Sequence, residues 1–180
     1  MTVRTAWAFF IDVPNIGAEK LHWNALVRRL MEFPQSTDTI IHQRAYFQGK
    51  EKPTRGFKEA YGILKSKNFD PYVTRAVHGR YPDVDGKIIL DMTEVRNLIS
   101  GGVYVFPIVN IVLLSSDGDF AETLRSFDKE KTNIYTFGKT RLSNKLRSVA
   151  NVSDILFRLA PHVLANKRRK GRKQKWPRVA

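Results

Sequence analysis

Two stretches of this chain are apolar without alternation and run straight into acids. Residues 6–12 read AWAFFID, and residues 110–115 read NIVLLS before continuing into Asp117 and Asp119. A strand with one wet face alternates polar and apolar residues. An unbroken apolar run of this length is buried on both faces, as in the centre of a parallel sheet covered by helices on each side. With 42% hydrophobic residues in 180, the chain has material for one full core plus a short appendage.

The rest of the sequence fits that frame. Residues 17–33 carry Leu21, Ala25, Leu26, Leu30 and Phe33 at helical spacing. A strand is expected over 38–48, a helix over 55–67 and a strand over 70–77. Gly79 and Pro82 mark a loop at 79–84. A periodic helix is expected over 85–99, and a further helix over 119–129. Residues 132–137 read as the last strand, and 143–165 as a terminal helix. Strands alternating with helices predict an α/β fold: a Rossmann-like three-layer arrangement with a mainly parallel central sheet. In such sheets, ligands bind beyond the carboxyl ends of the strands, where the strand order reverses.

That rule directs attention to the acids. Asp12 ends the first apolar run, and Asp117 and Asp119 follow the second. Neighbouring strands lie about 5 Å apart, so the two strand ends are placed to converge. Asp85 opens the helix 85–99 and faces the same rim. Asp91 shares a helical face with Ile88, Val95 and Leu98. A carboxylate on an apolar stripe needs a cation, a donor or a proton. Taken singly, Asp85, Asp117 and Asp119 read equally well as helix N-caps. Taken together, they are what metal-assisted phosphodiester hydrolysis requires: hard oxygen donors for Mg²⁺ or Mn²⁺, crowded until a cation relieves their repulsion. Asn15 is placed to orient a water or a carboxylate.

These blocks resemble the NYN family, the LabA-like branch of the PIN-like nucleases. The resemblance lies in Asp12-Val13-Pro14-Asn15 after the first strand, and in Val84-Asp85 with Asp91 six residues later. It continues in Ser115-Ser116-Asp117-Gly118-Asp119-Phe120 and in the turn carrying Ser143 and Leu146. It covers about residues 6–160. It implies a PIN-like fold and a Mg²⁺- or Mn²⁺-dependent ribonuclease. Metal-site roles would fall to Asp12, Asp85, Asp117 and Asp119, and supporting roles to Asn15 and Asp91. It also makes a homodimer an expectation. Ser116 stands where the family usually has Gly, Asp83 where it has a small or basic residue, and Asn151 where it has Asp.

The net charge of +14 fits a nucleic-acid partner, with RNA as the class the resemblance implies. More than half of that charge comes from eight basic residues between Lys167 and Arg178. We therefore divide the chain into a domain over 1–165 and a basic tail over 166–180. The tail suits sequence-independent phosphate binding, with Trp176 as a stacking surface, or simply solubility. Arg80, Lys87, Lys139 and Arg141 lie on loops or helix starts near the expected rim and are candidate phosphate contacts. The histidines show no ligand spacing. There are no cysteines, which excludes disulfides, thiolate zinc sites and a cysteine nucleophile and suits a cytoplasmic location. No stretch approaches the roughly 20 apolar residues of a membrane span. A phosphatase working through an aspartyl-phosphate would need a second Asp where Pro14 stands. No GxGxxG turn supports dinucleotide binding. The surviving rival is a non-catalytic RNA-binding or protein-interaction module with a vestigial site.

Overall fold

The computed structural model describes residues 4–18 and 22–155. Six strands form one parallel sheet: β1 (Thr5–Asp12), β2 (Thr39–Phe47), β3 (Asp70–Val73), β4 (Ile108–Leu114), β5 (Thr132–Gly138) and β6 (Val152–Ile155). Their order is β3-β2-β1-β4-β5-β6, and each neighbouring pair is parallel. The order reverses between β1 and β4, the two strands with unbroken apolar runs.

The helices are α1 (Val13–Ile16), α2 (Trp23–Leu30), α3 (Arg55–Ser66), α4 (Asp85–Ser100), α5 (Ala121–Arg125) and α6 (Asn144–Arg147). The two faces of β1 explain how they divide. Trp7, Phe9 and Ile11 pack into one core with Trp23, Leu26, Val27 and Leu30 of α2 and Ala60 and Leu64 of α3. Ala6, Ala8 and Phe10 point the other way, into a core with Ile88, Met92, Val95 and Ile99 of α4, Leu124 of α5 and Leu146 of α6. Period-two alternation thus feeds two cores, and neither face can afford a polar residue. The α2 contacts fall at i, i+3, i+4 and i+7, one apolar stripe.

Three sequence expectations are corrected. The helix expected over 17–33 does not begin at 17. Gly17 adopts φ +79° and ends the one-turn α1, and the next helix starts at Trp23. Only glycine enters that left-handed region without cost. The helix expected over 143–165 is a single turn. Ser143 caps α6 through its hydroxyl on the Leu146 amide, and the helix ends at Arg147. Val152–Ile155 then pairs with β5, so residues 132–137 do not hold the last strand. Asn151 starts that pairing: its amide donates to the Ile134 carbonyl at 2.8 Å, and its Oδ1 accepts from the Ile134 amide at 2.6 Å. Residues 156–165 and the basic tail, with Trp176, lie outside the described residues.

Candidate functional site

The site forms where β1 and β4 end side by side, with Ile11 paired to Leu114. Asp12 closes β1 and turns the chain into α1, its Oδ1 accepting from the Asn15 amide at 3.2 Å. It is only 2% exposed. Its other oxygen, Oδ2, accepts from the Ser115 hydroxyl at 2.8 Å. Ser115 Oγ in turn accepts from the Asp117 amide at 3.1 Å. The Asn15 side chain crosses the same gap, with Oδ1 accepting from the Ser116 amide at 2.8 Å. The β1 and β4 ends are therefore stitched together by side chains beyond the last ladder bonds.

Asp117 caps a 3-10 turn, Gly118–Phe120, by accepting from the Asp119 amide at 3.0 Å. Gly118 has no room for a side chain: a Cβ there would lie 2.9 Å from the Ser143 hydroxyl. Asp85 enters from the opposite core as the first residue of α4. Asp12, Asp85 and Asp117 then line one cleft of about 240 Å³ together with Asn15, Gln48 and Asp83.

The carboxyl groups feel one another. Burial pushes the Asp12 carboxyl up from 3.8 to about 6, and Asp85 and Asp117 add to the rise against the two hydrogen bonds that oppose it. Burial also raises Asp85, reinforced by Asp83, Asp117 and Asp119. Acids whose charge raises a neighbour's pKa concentrate negative charge in one place, which a proton or a cation relieves. The donor set is all carboxylate oxygen, which fits Mg²⁺ or Mn²⁺. Among the described residues, no three acidic or histidine side chains stand in an arrangement that by itself would hold a metal ion. Mg²⁺ commonly uses one or two carboxylates with water and substrate phosphate, so an open set of acids remains a fitting donor set.

The other expected site residues are distributed differently. Asp119 is exposed; its backbone supports Asp117, and its charge bears on Asp85. Asp91 does lie on the buried stripe of α4, and its partners are Lys87 on the same helix and Tyr46 and Arg44 on β2. Its carboxylate meets Lys87 Nζ at 2.5 Å, Tyr46 Oη at 2.8 Å and Arg44 Nη1 at 2.9 Å. Burial alone would raise its pKa; Lys87, Tyr46 and Arg44 outweigh that and hold it below the usual carboxylate range. The Lys87 ammonium is bonded to Asp91 and lies 5.8 Å from the Tyr72 ring. Neither Asp91 nor Lys87 lines the acidic cleft. Arg80 sits in an exposed turn, bridged to Val77, that leads toward Asp83. Lys139 follows β5 and lies over the end of α1: a Cβ on Gly17 would meet its Nζ at 2.8 Å. Arg141 is exposed in a neighbouring hollow with Ser116 and Ser143.

Ser115 and Gln48 are site residues that the sequence did not single out. Ser115 lies within the acidic block, but a serine at a strand end has no distinctive spacing. Gln48 follows β2, and nothing local marks it.

Residues 7–156 match the NYN domain family. The chain belongs to the NYN domain family. Members are generally nucleases, and a nuclease kind of function follows for this NYN domain. Its fold is similar to that of a Vibrio parahaemolyticus protein of unknown function, with a TM-score of 0.67 at 16% identity. That likeness covers 91% of this chain and 99% of the other, and it bears on the fold alone. No curated protein matches the sequence. No helix among the described residues is long and apolar enough to cross a membrane.

Proposed function

We propose that this NYN domain is a metal-dependent nuclease that hydrolyses phosphodiester bonds in RNA, with Asp12, Asp85 and Asp117 holding a Mg²⁺ or Mn²⁺ ion. The observation that carries this reading is that Asp12, Asp85 and Asp117 all line one cleft at the reversal of strand order. Asp12 and Asp85 also have raised pKa values there. The family supports the nuclease class, and the family resemblance favours RNA.

When bound, such an ion activates water and offsets charge on the scissile phosphate. The chain's own residues prepare the place. Ser115 and the Asn15 amide hold the two Asp12 oxygens in fixed directions, so the buried carboxylate does not rotate away from the cleft. The Asn15 side-chain Oδ1 and the Ser115 hydroxyl accept from the Ser116 and Asp117 amides, which sets the start of the Asp117 turn relative to Asp12. Asp119 acts through the backbone of that turn and through its charge. Exposed Arg141 and the eight basic tail residues supply phosphate attraction.

The non-catalytic reading is favoured by one observation, that no closed group of acids stands ready for a metal among the described residues. The two are separated by incubating the full chain with mixed RNA and DNA pools in Mn²⁺ or EDTA, beside Asp12→Asn and Asp117→Asn. Cleavage of RNA that needs Mn²⁺ and disappears in both variants is the expected result. RNA binding without cleavage would move the assignment to a binding module.

A further inference from the structure

A second hollow adjoins the acidic cleft and shares two of its walls, Pro14 and Gln48. It encloses about 240 Å³, and Val13, Ala18, Phe47, Lys50, Thr54 and Phe57 line its remainder. That is below the roughly 300–1,000 Å³ of pockets that bury drug-sized ligands, so it suits one planar group and not several. Phe47 ends β2 and is fully buried, and the partly exposed Phe57 ring stands edge-on to it, with centroids 5.0 Å apart. The Thr54 hydroxyl caps α3 on the Phe57 amide at 3.2 Å, fixing where that ring begins.

The charge around this hollow is opposite to that of the cleft. Lys50, Lys52 and Arg55 stand against the single acid Glu51 in the exposed segment 50–55. No ion pair among the described residues occupies Lys50. The backbone that leads into it is held in place. The Gly49 amide donates to Thr74 Oγ1 at 2.8 Å, and a Cβ on Gly49 would lie 2.1 Å from the Thr74 carbonyl, so only glycine passes there. Gln48 donates to the Tyr81 carbonyl at 3.1 Å. The wall between hollow and cleft is thus pinned to the segment that carries Asp83 and Asp85.

We propose that this hollow is a nucleotide subsite. It takes the base of the residue next to the scissile phosphate of a single strand, with Phe57 against the base and Lys50 on the adjoining phosphate. The proposal rests on the nuclease reading of the acidic cleft and deepens it. A strand crossing Pro14 meets acids on one side and cations with an aromatic ring on the other. The ring contributes sequence-tolerant stacking, and the lysine contributes phosphate affinity. A paired base could not reach Phe57 in so small a hollow, which makes the subsite selective for single strands.

The test measures binding by the full chain in EDTA, so that it does not depend on cleavage. The probes are fluorescein-labelled oligouridine and a sugar–phosphate strand of equal length without bases. Phe57→Leu keeps apolar volume but removes the ring. It should weaken oligouridine binding about tenfold and leave the base-free strand unchanged. Lys50→Glu, at an exposed position, should weaken both probes several-fold. Equal behaviour of the two probes with Phe57→Leu, or unchanged binding with Lys50→Glu, overturns the subsite. So does failure of the unaltered chain to bind either strand. A parallel cleavage assay separates the two claims. Metal-dependent cleavage with binding indifferent to both substitutions leaves the nuclease standing without the subsite. Binding that needs both residues in a chain that never cleaves does the reverse.

Discussion

The Ser115 hydroxyl donates to Asp12 Oδ2 at 2.8 Å, joining the carboxyl ends of two neighbouring strands through side chains 103 positions apart. The bond offsets part of the cost of burying Asp12, and it fixes the carboxylate relative to the loop that carries Asp117. Ser115→Ala leaves that oxygen buried without its donor. It should cost about 1–3 kcal/mol of stability near neutral pH. Urea denaturation at pH 7.5 checks this, and a loss below about 0.5 kcal/mol would contradict it.

Asp12 makes stability pH-dependent in a definite direction. Its folded pKa, about 6, lies above its ordinary 3.8, so the folded state holds the extra proton between those values. Its contribution is present below about pH 4 and is lost as pH rises through 6. Two pKa units correspond to roughly 3 kcal/mol at most. His42 acts oppositely in the same window, because burial pushes its pKa from 6.5 down to about 4. The quantity to measure is therefore the stability of Asp12→Asn minus that of the unaltered chain, without metal. It should grow from pH 4 to pH 6.5 and then level off. A flat difference would remove Asp12 as a buried, strained carboxyl.

The same value predicts the acid side of activity. Metal binding needs the ionised carboxylate, so protons compete below about pH 6. The Mn²⁺ concentration giving half-maximal cleavage should rise steeply as pH falls from 7 to 5. Independence of pH over that range would contradict a metal role for Asp12.

Asp91 is predicted to support the fold and not the chemistry. Removing its carboxylate leaves Tyr46 Oη, Lys87 and Arg44 without their shared acceptor beside a buried position. Asp91→Leu should destabilise the domain by about 3–5 kcal/mol. Asp70 also pairs with Arg44 but is well exposed, and Asp70→Ala should cost less than about 1 kcal/mol. Chemical denaturation of the two variants side by side decides this. Similar small losses would mean that the Asp91 network is not stabilising.

The basic tail should act on affinity through salt. Deleting residues 166–180 removes the eight cations between Lys167 and Arg178. For single strands, each neutralised phosphate contributes about 0.7 to the slope of log affinity against log salt. The deletion should therefore flatten that slope by several units without moving the cleavage positions. An unchanged slope would mean that the tail does not touch the nucleic acid.

The parts legible in the sequence were those set by local pattern. β1 and β4 showed because burial on both faces removes all alternation, and the acids at their ends could then be placed by the rule for parallel sheets. Asp85 was legible as a helix start. Asp91 was legible as an acid needing a partner, but the partners Arg44 and Tyr46 sit on β2, 47 and 45 positions away. No periodicity links those positions. The pairing of Lys87 with Asp91, which removes the ammonium from the rim, is by contrast a local i, i+4 contact on α4 that helical spacing allows. β6 was missed because a four-residue strand carries too little pattern to compete with a helical reading. Its pairing begins with the Asn151 side chain, not with an apolar run. Gln48 and Ser115 became site residues only through strand register and loop closure.

The central claim is that Asp12, Asp85 and Asp117 work as one metal-holding site. It is tested most directly by the initial rate of RNA cleavage against Mn²⁺ concentration, for the unaltered chain and for Asp12→Asn, Asp85→Asn and Asp117→Asn. The account predicts saturable metal dependence in the unaltered chain. It predicts a loss of at least about 100-fold in each variant, equivalent to roughly 3 kcal/mol of barrier. Metal-independent cleavage, or full activity in any of the three folded variants, would contradict it.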